Sequence, residues 1–224
     1  MYISDKRNEK GELLMETDMR ENNIADVSGK IISDFEFGHE VYGEGFYKFF
    51  LEVPRLSDTV DILPITISER LIDRDIFNEG SFVDISGQLR SYNNFSENKN
   101  RLILTIFTRE IKLSDNSMNN PNIIELDGFI CKKPVYRTTP FGREITDMLV
   151  AVNRSYNKSD YIPCIAWGRN ARFAWTLEVG DNIKITGRMQ SRNYQKKTET
   201  GEVIERVAYE VSVSKIVKET PSNS

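Results

Sequence analysis

Alternation of apolar and polar residues is the main pattern in the second half of the chain. In VAYEVSVSKIV, residues 207–217, valine or tyrosine stands at every second position up to 213, with smaller or polar residues between. This period of two is typical of a half-buried β-strand. We predict four earlier strands in IIELDGFIC, EITDMLVAVNR, YIPCIAW and NIKITGRMQS, and a short helix in RNARFAWTLEV, between the third strand and the fourth.

The same pattern occurs a second time, 99 to 100 residues earlier. SGKI at 28–31 matches DGFI at 127–130, LEVPR at 51–55 matches VAVNR at 150–154, and LPITISER at 63–70 matches IPCIAWGR at 162–169. After one residue of slippage, GSFVDISGQLRS at 80–91 matches GDNIKITGRMQS at 180–191. Apolar periodicity and glycines agree while exposed positions differ, which indicates two copies of one fold.

Five strands with a helix between the third and the fourth are the elements of an OB fold, a small Greek-key barrel. The repeated glycines fit, since barrel corners need bulges or tight bends. We therefore predict an all-β protein with two tandem OB-fold five-stranded barrels, each with a short helix between strands 3 and 4.

Composition shifts indicate the boundaries between these units. SDNSMNNPN, at 114–122, is polar and lacks apolar periodicity, which is typical of a linker. The predicted units are a mobile acidic arm at 1–24, a degenerate OB fold at 25–113, the linker at 114–122, an OB fold at 123–217 and a short tail at 218–224.

Several classes of protein are disfavoured by the sequence. It has no apolar run of about 18 residues and no apolar signal-peptide core, so we expect a cytoplasmic protein without a membrane partner. Cys131 and Cys164 stand in apolar surroundings and are interpreted as small core residues. His39 has no histidine or cysteine cluster around it, so we expect no metal and no cofactor. The phosphate-loop and nucleophile-elbow motifs are missing, so we expect no enzyme.

Charge is distributed unevenly along the chain. Residues 122–217 hold 15 Lys and Arg against 11 Asp and Glu, a net charge of +4, whereas residues 1–121 hold 14 against 22, a net charge of −8. The sequence pI of about 5.3 therefore hides a positive second half. That half also contains both tryptophans.

The second copy resembles the bacterial single-stranded DNA-binding protein family. LVAVNRSY through SDYIPCIAWGRNARFAWTLEVGDNIKITGRMQSRNY has a VNR strand end, an aromatic before the third strand, a W-x-x-x-A helix entry, a K-G-like turn and a G-R-x-x-x-R-x-Y fourth strand. The resemblance covers residues 123–217. It implies base stacking on Tyr156, Tyr161, Trp167 and Tyr194. It also implies phosphate contacts from Arg154, Arg169, Arg172, Arg188, Arg192, Lys196 and Lys197.

The aromatic residues also have structural interpretations. Trp167 either stacks on bases or belongs to the core, whereas Phe173 and Trp175 are expected in the core or at an interface. Stacking needs no sequence preference, because every base has a π-face and each stacked base contributes about 1–3 kcal/mol. Arginine and lysine supply the salt-dependent part of the affinity.

The first copy departs from the family pattern. The four stacking positions correspond to Ser57, Ile62, Ser68 and Asn94, and Tyr92 and Phe95 lie near the lost fourth platform. We expect this copy to support barrel pairing or protein contacts. The aromatic strand GEGFYKFFLEV is interpreted as core on one face and an interface on the other.

The sequence thus predicts a non-enzymatic protein that binds single-stranded DNA without sequence preference on its second barrel, in DNA replication, recombination or repair. The alternatives are an OB-fold protein–protein interaction module, such as a primosome-like accessory, and a single-stranded RNA binder. The resemblance implies a homodimer with four barrels. Replication proteins are possible partners, but the chain ends in KIVKETPSNS without the family's acidic recruitment tail.

Overall fold

The computed structural model describes residues 22–55, 57, 59–96, 99–114, 121–155, 157–197, 201 and 203–219. The predicted N-terminal arm, most of the predicted linker and the end of the predicted tail lie outside these residues, so the division into domains stays a prediction. Within the described ranges, no helix is long and apolar enough to cross a membrane.

The described chain consists of strands and two short helices. The first half runs β1 (Asn23–Ile31), β2 (Glu36–Val41), β3 (Glu44–Pro54), β4 (Val60–Ser68), a 3-10 turn (Glu69–Leu71), β5 (Phe82–Ser96) and β6 (Lys99–Leu113). The second half runs β7 (Asn122–Ile130), β8 (Val135–Thr138), β9 (Glu144–Arg154), β10 (Lys158–Trp167), α1 (Gly168–Trp175), β11 (Asn182–Lys197) and β12 (Val203–Lys218).

The hydrogen-bonded pairings close into one ring of five strands in each half. In the first half the ring runs β1–β3–β4–β6–β5 and returns to β1. In the second half it runs β7–β9–β10–β12–β11 and returns to β7. The only parallel pairs in these rings are β4–β6 and β10–β12. These pairings confirm the prediction of an all-β OB-fold protein.

Several details differ from the sequence prediction. The helix in the second half ends at Trp175 rather than near 179, because Thr176 and Leu177 turn back to bond Phe173 and Ala174. The first half has only the 3-10 turn at the equivalent place, so the prediction of a helix there holds only in this shorter form. Strands β2 and β8 were not predicted, and β11 and β12 extend together into a longer hairpin.

The paired glycines have the role that their repetition indicates. The register shifts between Ser86 and Gly87 of β5, where Arg109 of β6 is the extra residue, and between Thr186 and Gly187 of β11, where Ser214 of β12 is the extra residue. A Cβ at Gly87 would stand 2.2 Å from the carbonyl oxygen of Phe107, and one at Gly187 would stand 2.4 Å from that of Ser212. Neither contact is sterically possible, so each fourth strand needs glycine where it bends across the fifth.

Inward-facing apolar side chains fill both rings and form one cluster of buried residues. On β10 the buried positions Ile162, Cys164 and Ala166 alternate with residues on the outer face. The prediction that Cys164 is a core residue is confirmed, and burial raises the pKa of its thiol. Cys131 is half-buried, and its thiol donates to the carbonyl of Leu149.

The two halves share one continuous sheet, because β1 pairs antiparallel with β7 from Asn23–Leu126 to Val27–Asn122. Beside this pairing, two buried carboxylates are related by the repeat. Asp61 of the first half accepts hydrogen bonds from the Arg188 guanidinium at 2.8 Å and from the backbone N–H of Ser191 at 2.8 Å.

Asp160 of the second half has the matching environment. It accepts from the Arg90 guanidinium at 3.0 Å and from the backbone N–H of Ser91 at 2.7 Å. Each carboxylate therefore lies in one half and is bound by the other. We call the two carboxylates and their four partners the junction: Asp61 with Arg188 and Ser191, and Asp160 with Arg90 and Ser91. Together with the β1–β7 pairing, the junction fixes the orientation of the two halves relative to each other.

Candidate nucleic-acid interface

The outer face of β10 carries two of the predicted stacking residues. Tyr161 and Trp167 are six positions apart on a strand, so their side chains point to the same side. Tyr161 is 46% exposed and Trp167 is 37% exposed, whereas the residues between them that point inward are buried. Trp167 is thus a partly exposed surface residue rather than a core residue. We call the side of β10 that carries Tyr161 and Trp167 the aromatic face; between them on this side Pro163 is half-buried and Ile165 is buried.

Local structure positions both aromatic residues. The backbone N–H of Tyr161 donates to the Ser91 hydroxyl at 2.7 Å, so its end of β10 is held by the first half of the chain. Trp167 is the last residue of β10, and Gly168 at φ +53° follows it and begins α1. The face therefore spans the strand from the junction to the helix.

Tyr194 lies on β11, in the part of the hairpin that extends beyond the predicted strand. It is half-buried, and the Arg192 guanidinium stands 5.9 Å from the centre of its ring. Arg206, which the sequence analysis did not single out, lies directly opposite Tyr194 on β12. Opposite residues of an antiparallel pair share a face, so a cation accompanies this aromatic on both strands.

The side chains of three predicted residues lie outside the described part of the structure. Tyr156 lies outside the described residues. Lys196 and Lys197 are the last two residues of β11, and only their backbone is among the described parts of the structure. Their predicted roles stay predictions.

The predicted phosphate-binding arginines differ in their surroundings. Arg188 is bound to Asp61 within the junction, and Arg154 stands 3.5 Å from Asp160, so both lie against a junction carboxylate. Burial lowers the pKa of Arg188, and the charge of Asp61 opposes that shift. A cation that compensates a buried carboxylate is poorly placed to neutralise a phosphate as well.

The remaining arginines are more accessible. Arg172 pairs with Glu144, and Arg192 stands 3.4 Å from Glu210, with about half or more of each arginine side chain exposed. The Arg172–Glu144 pair is solvated and contributes at most about 1 kcal/mol, so Arg172 can exchange its partner at small cost, whereas Arg192 pairs with a buried carboxylate, since the Glu210 side chain is only 10% exposed. Arg169 is exposed, and no described carboxylate forms an ion pair with it.

Beside Trp167 the structure adds an ion pair that the sequence analysis missed. The Arg137 guanidinium on β8 donates to Asp147 on β9 at 2.6 Å. Arg137 lies opposite Ile145, which in turn lies opposite Trp167, so the pair borders the aromatic face. The only sequence signal for it would have been the VYRT stretch, which is too short to predict a strand.

The aromatic residues of α1 are not in the core. Ala171 and Ala174 form its buried side, and Thr146 of β9 donates to the Ala171 carbonyl. Phe173 and Trp175 consequently point away from the barrel, and Trp175 is 57% exposed and rests on Tyr136 at 5.6 Å. The i, i+3 spacing of the two alanines is the signal that could have shown this, and the interface interpretation stays a prediction.

His39 is also a surface residue in this structure. It is exposed and stacks on Phe46, with ring centres 5.1 Å apart. Among the described residues there is no group of three or more histidine, cysteine or acidic side chains arranged to hold a metal ion.

Fold and site together define an OB-fold protein with exposed aromatic residues on one barrel face. The family model described as "Single-strand binding protein family" matches residues 121–217. The single-stranded DNA-binding protein of Clostridium tetani is 37% identical over 98 residues, which cover 40% of this chain and 68% of that protein. The chain therefore belongs to the single-strand binding protein family.

Two further comparisons define the extent of the likeness. Single-stranded DNA-binding protein 1 of Staphylococcus aureus is 35% identical over 83 residues, 34% of this chain, and the chain spans about half (50%) of its length. Wild-type single-stranded DNA binding protein from Thermus aquaticus has a similar structure, with a TM-score of 0.73 at 16% identity, over 90% of this chain and 95% of that one. The structural likeness shows the fold across both halves, whereas the family match lies in the second.

Proposed function

We propose that this chain binds single-stranded DNA without sequence preference, on the outer face of its second half. The observation that carries the proposal is the exposure of Tyr161 and Trp167 on one face of β10. Large aromatic side chains are normally buried, and a pair left open on a sheet face is a surface on which bases can stack. The relatives' names support DNA as the ligand.

Charge supports the same surface. Arg169, Arg172 and Arg192 are exposed, and Arg206 lies opposite Tyr194. In this proposal these four arginines, with the predicted Lys196 and Lys197, follow the phosphates. Arg154 and Arg188 act instead at the junction. The bound DNA strand would run from Trp167 past Tyr161 towards Tyr194, because these residues lead from the helix end of β10 to the β11–β12 hairpin.

The proposed wider role is that of a protein that binds single-stranded DNA and does not catalyse a reaction on it. We propose that the chain is a binding protein rather than an enzyme, and that it protects or presents single strands in DNA replication, recombination or repair. We also propose a homodimer, in which two chains with two rings each would bring four barrels together.

The direct test is the affinity of a fluorescently labelled oligo-dT for variants of the outer face, measured by anisotropy. Trp167→Ala and Tyr161→Ala should each weaken binding roughly 5- to 150-fold, the equivalent of about 1–3 kcal/mol per stacked base. Trp175→Ala is the matched control, since it removes a more exposed tryptophan from α1. Its affinity should stay within about twofold of the unmodified protein.

A protein-interaction module is the second candidate. It is favoured by the exposed Phe37 and Tyr42 on the β2–β3 hairpin of the acidic first half. Under this alternative, alanine at Trp167 and Tyr161 leaves DNA affinity unchanged. A single-stranded RNA binder is separated from the main proposal by competition, because unlabelled RNA of equal length would then displace oligo-dT at lower concentration than DNA does.

A further inference from the structure

A groove of about 480 Å³ lies between the two halves, next to the proposed strand path. Its first-half wall comes from β3, β4, β5 and β6, and its second-half wall comes from β10, β11 and β12. Tyr194, a proposed stacking residue, is part of the second wall. The groove is therefore continuous with the proposed interface, and its size lies in the range of roughly 300–1,000 Å³ that small-ligand sites occupy.

The first-half wall of the groove is aromatic and open. The aromatic strand β3 is divided between two faces, because Phe49 is buried in the core while Phe50 is 42% exposed and lines the groove. Tyr92 on β5 also lines it and is 39% exposed. Two large aromatic side chains thus face the groove on the half that lacks the family's stacking residues.

Each wall also brings a cation over an aromatic ring. The Lys48 amine lies 5.7 Å from the centre of the Tyr92 ring, and the Arg192 guanidinium lies 5.9 Å from that of Tyr194. An aromatic ring beside a cation is the combination that binds a base and its phosphate together. Lys48, Tyr92 and Tyr194 line the groove, and Arg192 lies beside Tyr194.

The carboxylates of the groove do not leave it strongly acidic. Glu210 accepts hydrogen bonds from the Gln190 amide at 2.8 Å and from Arg192 at 3.4 Å. Glu36 lies directly opposite Lys48 in the β2–β3 pairing. Each acidic residue of the groove therefore has a cation as its neighbour.

We infer that this groove receives bases of the same DNA strand, and that Tyr92 is the stacking residue of the first half. This inference rests on the proposed function. The repeat aligns Tyr92 of the first half with Arg192 of the second half. The aromatic residue of the first half therefore lies two positions earlier in the repeat than Tyr194 does in the second. A strand leaving Tyr194 enters the groove and crosses onto the first half there.

The test compares strands of increasing length. Anisotropy is measured for labelled oligo-dT from short strands, which reach only the second half, to strands long enough to enter the groove. Tyr92→Ala should bind short strands like the unmodified protein and should bind long strands at least roughly 5-fold more weakly, the effect of one lost stacking contact. Tyr92→Phe keeps the ring and should restore long-strand affinity.

A matched control and a direct readout complete the experiment. Tyr42→Asn removes an exposed tyrosine from the hairpin tip of the same half, at φ 51°, where asparagine is tolerated. It should leave every length unaffected. Strands containing 5-iodouracil should crosslink to Tyr92 when long and only to second-half residues when short.

The outcomes separate the two proposals. If Tyr92→Ala matches the unmodified protein at every length and no crosslink forms in the first half, the groove does not receive bases. If the unmodified protein binds no strand at any length, the proposed function itself fails, and this inference fails with it.

Discussion

At the scale of single residues, exposure separates side chains that the sequence presents alike. Arg169, Arg172 and Arg188 all stand in the family-like half, but Arg188 is held by a buried carboxylate and Arg169 is exposed with no described ion-pair partner. The sequence contains no sign of this difference, because the partner of Arg188 lies 127 positions away, at Asp61. Only the fold shows which arginines have no buried carboxylate as a partner and can therefore bind a phosphate.

This difference leads to a prediction for the salt dependence of binding. Arg169→Gln should reduce the slope of log affinity against log salt concentration by about 0.7, the value for one phosphate contact on a single strand. Arg172→Gln is the comparison, and it should reduce the slope less, because its guanidinium already pairs with Glu144. Titrations of labelled oligo-dT at four salt concentrations measure both slopes. Equal slopes for the unmodified protein, Arg169→Gln and Arg172→Gln would show that Arg169 is not part of the interface.

At the scale of elements, the sequence predicts well what periodicity determines. The period of two predicts β9 and most of β7 and β10, and the repeat predicts the close approach at Gly87 and Gly187. Periodicity predicts β11 only to residue 191, since the polar residues beyond it lack alternation and are ordered by pairing with β12. The side of α1 that faces solvent was also missed, because its apolar residues are aromatic while its buried residues are alanines.

At the scale of the whole molecule, the sequence shows that the chain is duplicated but not how the copies meet. The β1–β7 pairing and the junction join residues far apart in the chain, and a local pattern does not indicate such partners. The repeat relates Asp61 to Asp160, yet their binding by the opposite half appears only in the structure. The junction therefore couples the half that carries the family motifs to the half that lost them.

The junction makes a prediction for stability. Asp61→Asn removes the charge that Arg55 and Arg188 share, and should lower the free energy of unfolding by about 2–4 kcal/mol, somewhat below a fully buried pair because both arginines are partly solvated. Asp147→Asn is the control, since its pair with Arg137 is exposed and should contribute less than about 1 kcal/mol. Urea unfolding measures both. Equal losses would contradict a structural role for the junction.

The central claim is that bases stack on the outer face of β10, and the tryptophan fluorescence of Trp175→Phe tests it most directly. Trp167 is then the sole tryptophan of the chain, so the emission reports on that face alone. We predict saturable quenching on titration with oligo-dT, with an affinity that falls as salt rises. Binding detected by anisotropy without any change in Trp167 emission, or no binding at low salt, would contradict the account.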